Sequence, residues 1–394
     1  MENLPIVHVV NGRQKKLLQG HPWVYGNEIE RVEGEIEDGG LVTVVDFRER
    51  YMGTGFYNSK SLITVRLLTH RQEEITDELI ASRVKAACDY RRFVMNRPGT
   101  DSCRLIYGEA DRLPGVIADR FGGVIVLQVL ALGMERFTQT IADALLACEK
   151  PDCLLLQNDD AIRRKEGMEC FTRVLYGTLP EENIIHENGV KLAVDVLGGQ
   201  KTGYFLDQKD NHLFVRQFCK DARVLDCFSY IGAFALNAAA AGAKEVTAVD
   251  ISEAAVQLIE KNAALNGADI TAVCANCFDF LRAQVKAGEK YDVVVLDPPA
   301  FTKAHANMAS ACRGYKEIAL SAMRLLPAGG VLATHSCSYH MPEEVFVNTV
   351  LSAAQDLHRQ VRVITLRRQD IDHPVLAGYP ESHYLKSLWL QMLD

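Results

Sequence analysis

The stretch that decides the fold is Arg223-Val224-Leu225-Asp226-Cys227-Phe228-Ser229-Tyr230-Ile231-Gly232-Ala233-Phe234. An apolar strand runs through a tight turn into an alanine-rich helix, with one glycine where a dinucleotide-binding turn carries three. From about residue 190 to the C-terminus the chain keeps this rhythm of apolar strand and amphipathic helix, the pattern of a doubly wound α/β sheet. Seven strands are expected, at 223–226, 245–250, 270–274, 291–297, 330–336, 362–366 and 387–392. Helices are expected between them at 233–241, 253–266, 277–286, 312–326 and 343–355.

In an open sheet of this kind the ligand sits beyond the carboxyl ends of the strands. The first strand ends at Asp226. The second ends at Asp250, where a carboxylate can accept both hydroxyls of a ribose. The third ends at Asn276, which can either read an adenine edge or simply cap the next helix. The fourth ends in Asp297-Pro298-Pro299; two prolines cannot continue a ladder, so the chain leaves the sheet extended and holds Asp297 at its tip. The glycine-poor turn, the second-strand acid and the Asp-Pro-Pro tip together resemble class I S-adenosylmethionine-dependent methyltransferases. A nicotinamide dehydrogenase would need the missing glycines.

The fifth strand ends in Thr334-His335-Ser336-Cys337-Ser338-Tyr339-His340. In this fold Cys337 and Asp297 converge on the substrate. A thiolate beside a carboxyl group suits methylation of a pyrimidine at C5, because addition of sulfur to C6 makes C5 enamine-like and nucleophilic. Asp297, with its pKa raised by burial, would hydrogen-bond or protonate N3. His335, two residues before Cys337 and so on the same strand face, is expected to lower the thiol pKa.

Working outward, the first 70 residues read as short strands and glycine-rich turns, a small β-barrel pattern with strands at 6–10, 41–47, 51–57 and 63–68. A helix over 77–96 follows. Residues 103–178 read strand, strand, helix, strand, strand, an α+β module too short for a full α/β domain, and a hairpin over 184–196 leads out of it. The expected units are therefore a barrel over 1–72, a central module over 73–190 and the doubly wound sheet over 191–394.

The 394 residues carry 43 lysines and arginines against 51 aspartates and glutamates, a net charge of −8. That excludes a binder driven by bulk positive charge and leaves room for a local basic cleft. The N-terminus lacks a secretory pattern and no long apolar run occurs, so a cytoplasmic protein without membrane attachment is expected. Eleven scattered cysteines fit reduced thiols. Cys274 and Cys277 form one CxxC without a second pair, so no metal is expected.

Nearly the whole chain resembles the bacterial large-subunit (23S) ribosomal RNA cytosine-C5 methyltransferases that carry an N-terminal PUA domain. The resemblance rests on Leu18-Gln19-Gly20-His21-Pro22-Trp23-Val24-Tyr25, the run Gly108 to Arg120, Lys201-Thr202-Gly203-Tyr204-Phe205-Leu206-Asp207-Gln208-Lys209, Ala311 to Ile318, Ser336-Cys337-Ser338, Asp372-His373-Pro374-Val375 and Tyr379-Pro380-Glu381. It implies Cys337 as covalent nucleophile with Asp297 beside the base. It also implies S-adenosylmethionine contacts from Asp226, Cys227, Phe228, Ser229, Tyr230 and Gly232, from Asp250 and Ile251, from Asn276, Cys277 and Phe278, and from Gln208 in a segment that covers the cofactor. The implied partner is 23S ribosomal RNA or an assembling large subunit, and a homodimer is compatible with the family. This chain departs from the family at Asn276, where aspartate is common, and at Tyr339-His340, where a small pair is expected.

For RNA contacts, basic and aromatic groups near the motifs are the candidates: Lys15 and Lys16, with His21 and Trp23, on the barrel; Arg163 in the central module; Arg313, Tyr315 and Lys316 beyond the Asp-Pro-Pro loop. Solvated charge is the plain alternative for the basic runs, and core burial for Trp23. Two other functions remain open from sequence: methylation of another RNA atom, such as a guanine nitrogen, with Cys337 structural, and an RNA-binding assembly factor without turnover.

Overall fold

The computed structural model describes residues 4–302 and 307–394. β1 (Ile6–Val9), β2 (Trp23–Val24), β3 (Ile29–Glu33), β4 (Leu41–Val45), β5 (Tyr51–Tyr57) and β6 (Val65–Thr69) form one six-stranded sheet in the order β2-β6-β5-β4-β1-β3. Alternating apolar residues of these strands, among them Val7, Val42, Val44 and Val65, close over a core of their own. The chain also forms a short helix, α1 (Gln14–Leu18), inside this unit. At one and a half turns it is too brief to leave a periodic apolar signal, and the edge strand β3 is exposed at four of its five positions, so the sequence pattern missed both.

α2 (Asp77–Val94) starts at Thr76, whose side chain accepts from the Leu79 amide at 3.3 Å, a hydrogen-bonded N-cap. β7 (Ser102–Tyr107), β8 (Val116–Phe121), β9 (Val124–Val129), β10 (Cys153–Asn158) and β11 (Phe171–Gly177) then make a five-stranded sheet in the order β11-β10-β9-β8-β7. α3 (Thr138–Glu149) crosses from β9 to its parallel neighbour β10, and α4 (Ala161–Lys165) precedes β11. β9 and β10 are buried at every position, as strands covered on both faces must be. The hairpin of β12 (Ile184–Glu187) and β13 (Val190–Ala193) leads to α5 (Lys209–Val215).

The last sheet contains β14 (Arg223–Cys227), β15 (Glu245–Asp250), β16 (Thr271–Cys274), β17 (Val293–Leu296), β18 (Val331–Ser336), β19 (Val361–Arg367) and β20 (Lys386–Met392). Their order is β16-β15-β14-β17-β18-β20-β19, with β20 antiparallel to both neighbours and the other pairs parallel. α6 (Ala233–Ala240), α7 (Glu253–Asn266), α8 (Cys277–Ala287), α9 (Met308–Leu325) and α10 (Glu343–Asp356) provide the crossovers. The order reverses between β14 and β17, which places a crevice at the carboxyl ends of those strands. Among the described residues no helix is long and apolar enough to cross a membrane.

The sheets are tied together by buried charge. Lys209 Nζ lies 2.5 Å from Asp372, and both residues are fully buried. The same carboxylate accepts from the Arg104 amide at 2.9 Å, and Arg91 donates to the Asp372 carbonyl at 2.8 Å. The Asp372-His373-Pro374-Val375 motif thus joins the central sheet to the C-terminal one.

Candidate active site

At the β14–β17 crevice lies a cavity of about 310 Å³. The turn after β14 holds Phe228 and Tyr230 at φ of 63° and 52°, a left-handed region that costs a side-chain-bearing residue about 1–3 kcal/mol. Gly232, at φ 87°, takes the same region without a Cβ penalty and begins α6. Asp226 maintains the turn from inside. Its Oδ2 accepts from the Ser229 hydroxyl and from the Ala235 amide at 3.1 Å, while burial pushes its pKa up to about 7. Asp226, Cys227 and Gly232 shape the turn without lining the cavity; Phe228, Ser229 and Tyr230 do line it.

Asp250 reaches the cavity from β15. One oxygen accepts the Tyr230 amide and the other the Ser252 amide, both at 2.9 Å, so each keeps a lone pair for a ligand hydroxyl. Ile251, Phe278 and Cys277 complete this wall. Asn276 also lines it, but its Oδ1 accepts the Phe278 amide at 2.9 Å and the Asp279 amide at 3.4 Å. The helix cap has therefore taken the oxygen expected to accept from an adenine amino group, and the side-chain NH2 remains to face a ligand.

The opposite wall carries the expected reacting pair. Asp297 and Cys337 line the same cavity, from the ends of β17 and β18. Burial, reinforced by Asp207, pushes the Asp297 pKa up to about 7, although His212 and a hydrogen bond from the Gln208 amide oppose it. Gln208 is itself oriented by Asn211, whose amide donates to its Oε1 at 2.7 Å. Burial and the Asp297 charge push the Cys337 thiol up to about 11, with Lys201 acting against them.

His335 does not lower that value. Its ring is fully buried and stacked on Phe234 at 5.1 Å, and neither nitrogen has a hydrogen-bond partner among the described residues. Burial, then repulsion from His212, pushes its pKa down to about 3, so the ring is neutral. β18 ends at Ser336 and Cys337 already belongs to the loop, so the alternation of strand faces does not carry from His335 to Cys337.

The segment before α5 covers the cavity: Tyr204, Phe205, Asp207 and Gln208 line it, and the Tyr230 hydroxyl donates to the Gly203 carbonyl at 3.0 Å. Sequence reasoning missed His212, which lines the cavity while its Nδ1 sits 2.6 Å from Glu187. Its partner lies on the distant β12, so no local pattern marks it.

Two RNA candidates are corrected. Arg163 is fully buried, donating to the Val129 and Glu169 carbonyls and lying 2.6 Å from Glu135. Tyr315 is also fully buried, packed against Phe301 and Phe346, with its hydroxyl donating to Ser336 at 2.9 Å. Both faces looked polar only because their partners lie elsewhere in the chain. Lys16 pairs with Glu28 at 2.6 Å and Lys316 with Asp356 at 2.8 Å. Lys15 and Arg313 are exposed. Trp23 is half-buried at the seam, its indole donating to Glu109 at 2.8 Å, with Tyr379 4.8 Å away. His21 lies 3.2 Å from Glu381, which also accepts from Tyr339 two residues beyond Cys337.

The chain matches two family models, a PUA-like domain over residues 7–70 and an S-adenosylmethionine-dependent methyltransferase over 125–369. It is 42% identical over 388 residues to a Klebsiella pneumoniae protein named ribosomal RNA large subunit methyltransferase I, covering 97% of each chain. A Salmonella arizonae protein of the same name is 40% identical, with 98% of this chain and 96% of that one covered. Among solved structures, a putative S-adenosylmethionine-dependent methyltransferase from Streptococcus mutans superposes with a TM-score of 0.84 at 20% identity, covering 98% of this chain and 99% of that one. The cavity suits that cofactor: Asp250 has free acceptor sites for a ribose, Phe228 and Phe278 offer apolar walls, and the turn after β14 is too poor in glycine to seat a pyrophosphate. With this turn, this carboxylate and this match across more than half its length, the chain belongs to the S-adenosylmethionine-dependent methyltransferase family.

Proposed function

We propose that this enzyme methylates C5 of a cytosine in large-subunit ribosomal RNA, free or in an assembling particle, in the bacterial cytoplasm. The relatives' names support the RNA, and the observation that carries the chemistry is that Cys337 and Asp297 line one cavity with Asp250. The 1–72 unit and the 73–190 module would hold the RNA while the 191–394 unit performs the transfer, with exposed Lys15 and Arg313 reaching phosphates.

When bound, S-adenosylmethionine supplies an electrophilic methyl group. Cys337, as the thiolate, forms a bond from sulfur to C6 of the base. The displaced electron pair moves toward N3, where the protonated Asp297 donates its proton, leaving C5 nucleophilic. After C5 has been methylated, loss of the C5 proton and cleavage of the sulfur–C6 bond, with N3 returning its proton, restore the aromatic ring and the thiolate. The nearly neutral pKa of Asp297 suits a group that must both give and take a proton. The cover formed by Tyr204 and Phe205 keeps water from the methyl group.

RNA carrying 5-fluorocytosine at the target position should form a covalent complex that survives denaturing electrophoresis, because fluorine cannot leave C5 as a proton does. Cys337→Ala should abolish both this complex and methyl transfer. Full methyl transfer by Cys337→Ala would overturn the reading and favour a different acceptor atom, such as a guanine nitrogen.

A further inference from the structure

Lys386 opens β20 directly opposite Ser336, the last residue of β18, so its backbone pairs one residue away from Cys337. The side chain is only 3% exposed, unusual for a lysine, and the mechanism above does not use it. Its ammonium donates to the Ser338 carbonyl and the Tyr384 carbonyl, both at 2.6 Å. Both acceptors are neutral, and no carboxylate lies within ion-pair distance of it among the described residues. Two hydrogen bonds to carbonyls engage two of its three donors without neutralising its charge. A buried charge left uncompensated in this way acts on the ionisable groups around it.

Cys337 is the residue before Ser338, whose carbonyl the ammonium holds. Burial pushes the lysine pKa down; among the charges, Cys337 and then Glu343, at the start of α10, oppose it, and the balance lies at about 8. Around Cys337 itself, Asp297 and Asp207 oppose ionisation, Lys201 favours it, and the Tyr315 hydroxyl faces it from α9. The carboxylates on one side thus make a thiolate harder to form, and the mechanism requires one.

We propose that Lys386 is a positioning residue for Cys337: it clamps the loop after the cysteine to the start of β20 and places beside the sulfur the positive charge that its ionised form needs. With two of its three N–H bonds held by carbonyls, the ammonium is fixed in place beside the loop. The role rests on the reading of Cys337 as nucleophile, yet it can be tested on the thiol alone.

The experiment follows alkylation of Cys337 by iodoacetamide, read by peptide mass spectrometry on the full-length protein from pH 6.5 to 9, with S-adenosylmethionine binding measured alongside. A neighbouring cation shifts a pKa by about 1–3 units, so Lys386→Met should slow alkylation about tenfold or more at pH 7. The gap should close above about pH 8, where the native lysine loses its own charge. Lys386→Arg should stay near the native rate and keep it above pH 8. A Lys386→Met profile that superimposes on the native one would overturn the proposal. Should Lys386→Met lose cofactor binding, Lys386→Arg and Lys386→Gln carry the test, and equal profiles for these two overturn it. Because no RNA is involved, methyl transfer surviving in Cys337→Ala would remove the nucleophile reading without altering this measurement.

Discussion

Replacing Asp297 with asparagine should change the shape of the pH profile of methyl transfer, not only its height. Burial with the Asp207 charge places Asp297 at about 7, and burial with the Asp297 charge places Cys337 at about 11, so between these values the resting pair is carboxylate and thiol. The reactive pair, carboxylic acid and thiolate, has the same number of protons. It differs by one transfer within the site and is the minor form, less rare than the separate values of about 7 and about 11 imply, because the transfer neutralises the Asp297 charge that raises the thiol. Since resting and reactive forms are isoprotic, the native single-turnover rate should rise about tenfold per pH unit up to about 7 and then stay level until Lys386 loses its charge near pH 8. Below that value the resting pair gains a proton that must first be lost.

Asparagine keeps an oxygen for the Gln208 amide and an N–H for the base, but it cannot receive the thiol proton. The thiolate must then form by losing its proton to solvent, and the rate should climb about tenfold per unit from pH 7 to 9. Removal of the carboxylate charge also lowers the thiol pKa, so the variant loses least at high pH. The assay is rapid-quench transfer of labelled methyl into saturating RNA, with enzyme in excess. A level Asp297→Asn profile, or a native rate that keeps rising tenfold per unit above pH 7, would refute the shared-proton reasoning.

Two further outcomes are expected. Asp250→Ala removes two carboxylate oxygens from the cavity wall, and at about 1.5–3 kcal/mol for a charged hydrogen bond the affinity for S-adenosylmethionine should fall at least tenfold in a calorimetric titration. Arg163→Ala and Arg313→Ala should separate structure from binding. The first leaves buried carbonyls unpaired and should cost about 3 kcal/mol in denaturant unfolding. The second should leave stability unchanged, weaken RNA binding and reduce its salt dependence by about one phosphate contact.

The C-terminal sheet was readable because its strands are short apolar runs and its helices long amphipathic ones, so local pattern and tertiary role agree. β15 and α7 begin and end where the pattern places them. That Asp250, Asp297 and Cys337 line one cavity was legible for the same reason: parallel strands deliver their carboxyl-end residues to one crevice. Pattern failed where a residue's environment is made by distant chain. Arg163 lies in a basic run yet serves β9 and Glu135, and Tyr315 sits in a polar stretch of α9 yet fills the core beneath Phe301. His335 lost its expected role when the strand ended one residue before the cysteine.

By itself the sequence determined the alternation of strands and helices, the glycine-poor turn after β14, the Asp-Pro-Pro tip and the thiol at the end of β18, because each depends on local backbone chemistry. Only the tertiary structure decided how deeply each of these groups is buried, which hydrogen bonds it makes and in which direction its pKa is shifted there. The Asp297 pKa depends on burial and on Asp207, the Asn276 oxygen is committed to a helix cap, and the antiparallel pairing of β18 with β20 brings Lys386 opposite Ser336 and onto the Ser338 carbonyl. Desolvation and long-range pairing are properties of the packed chain, and no spacing along the sequence encodes them one residue at a time.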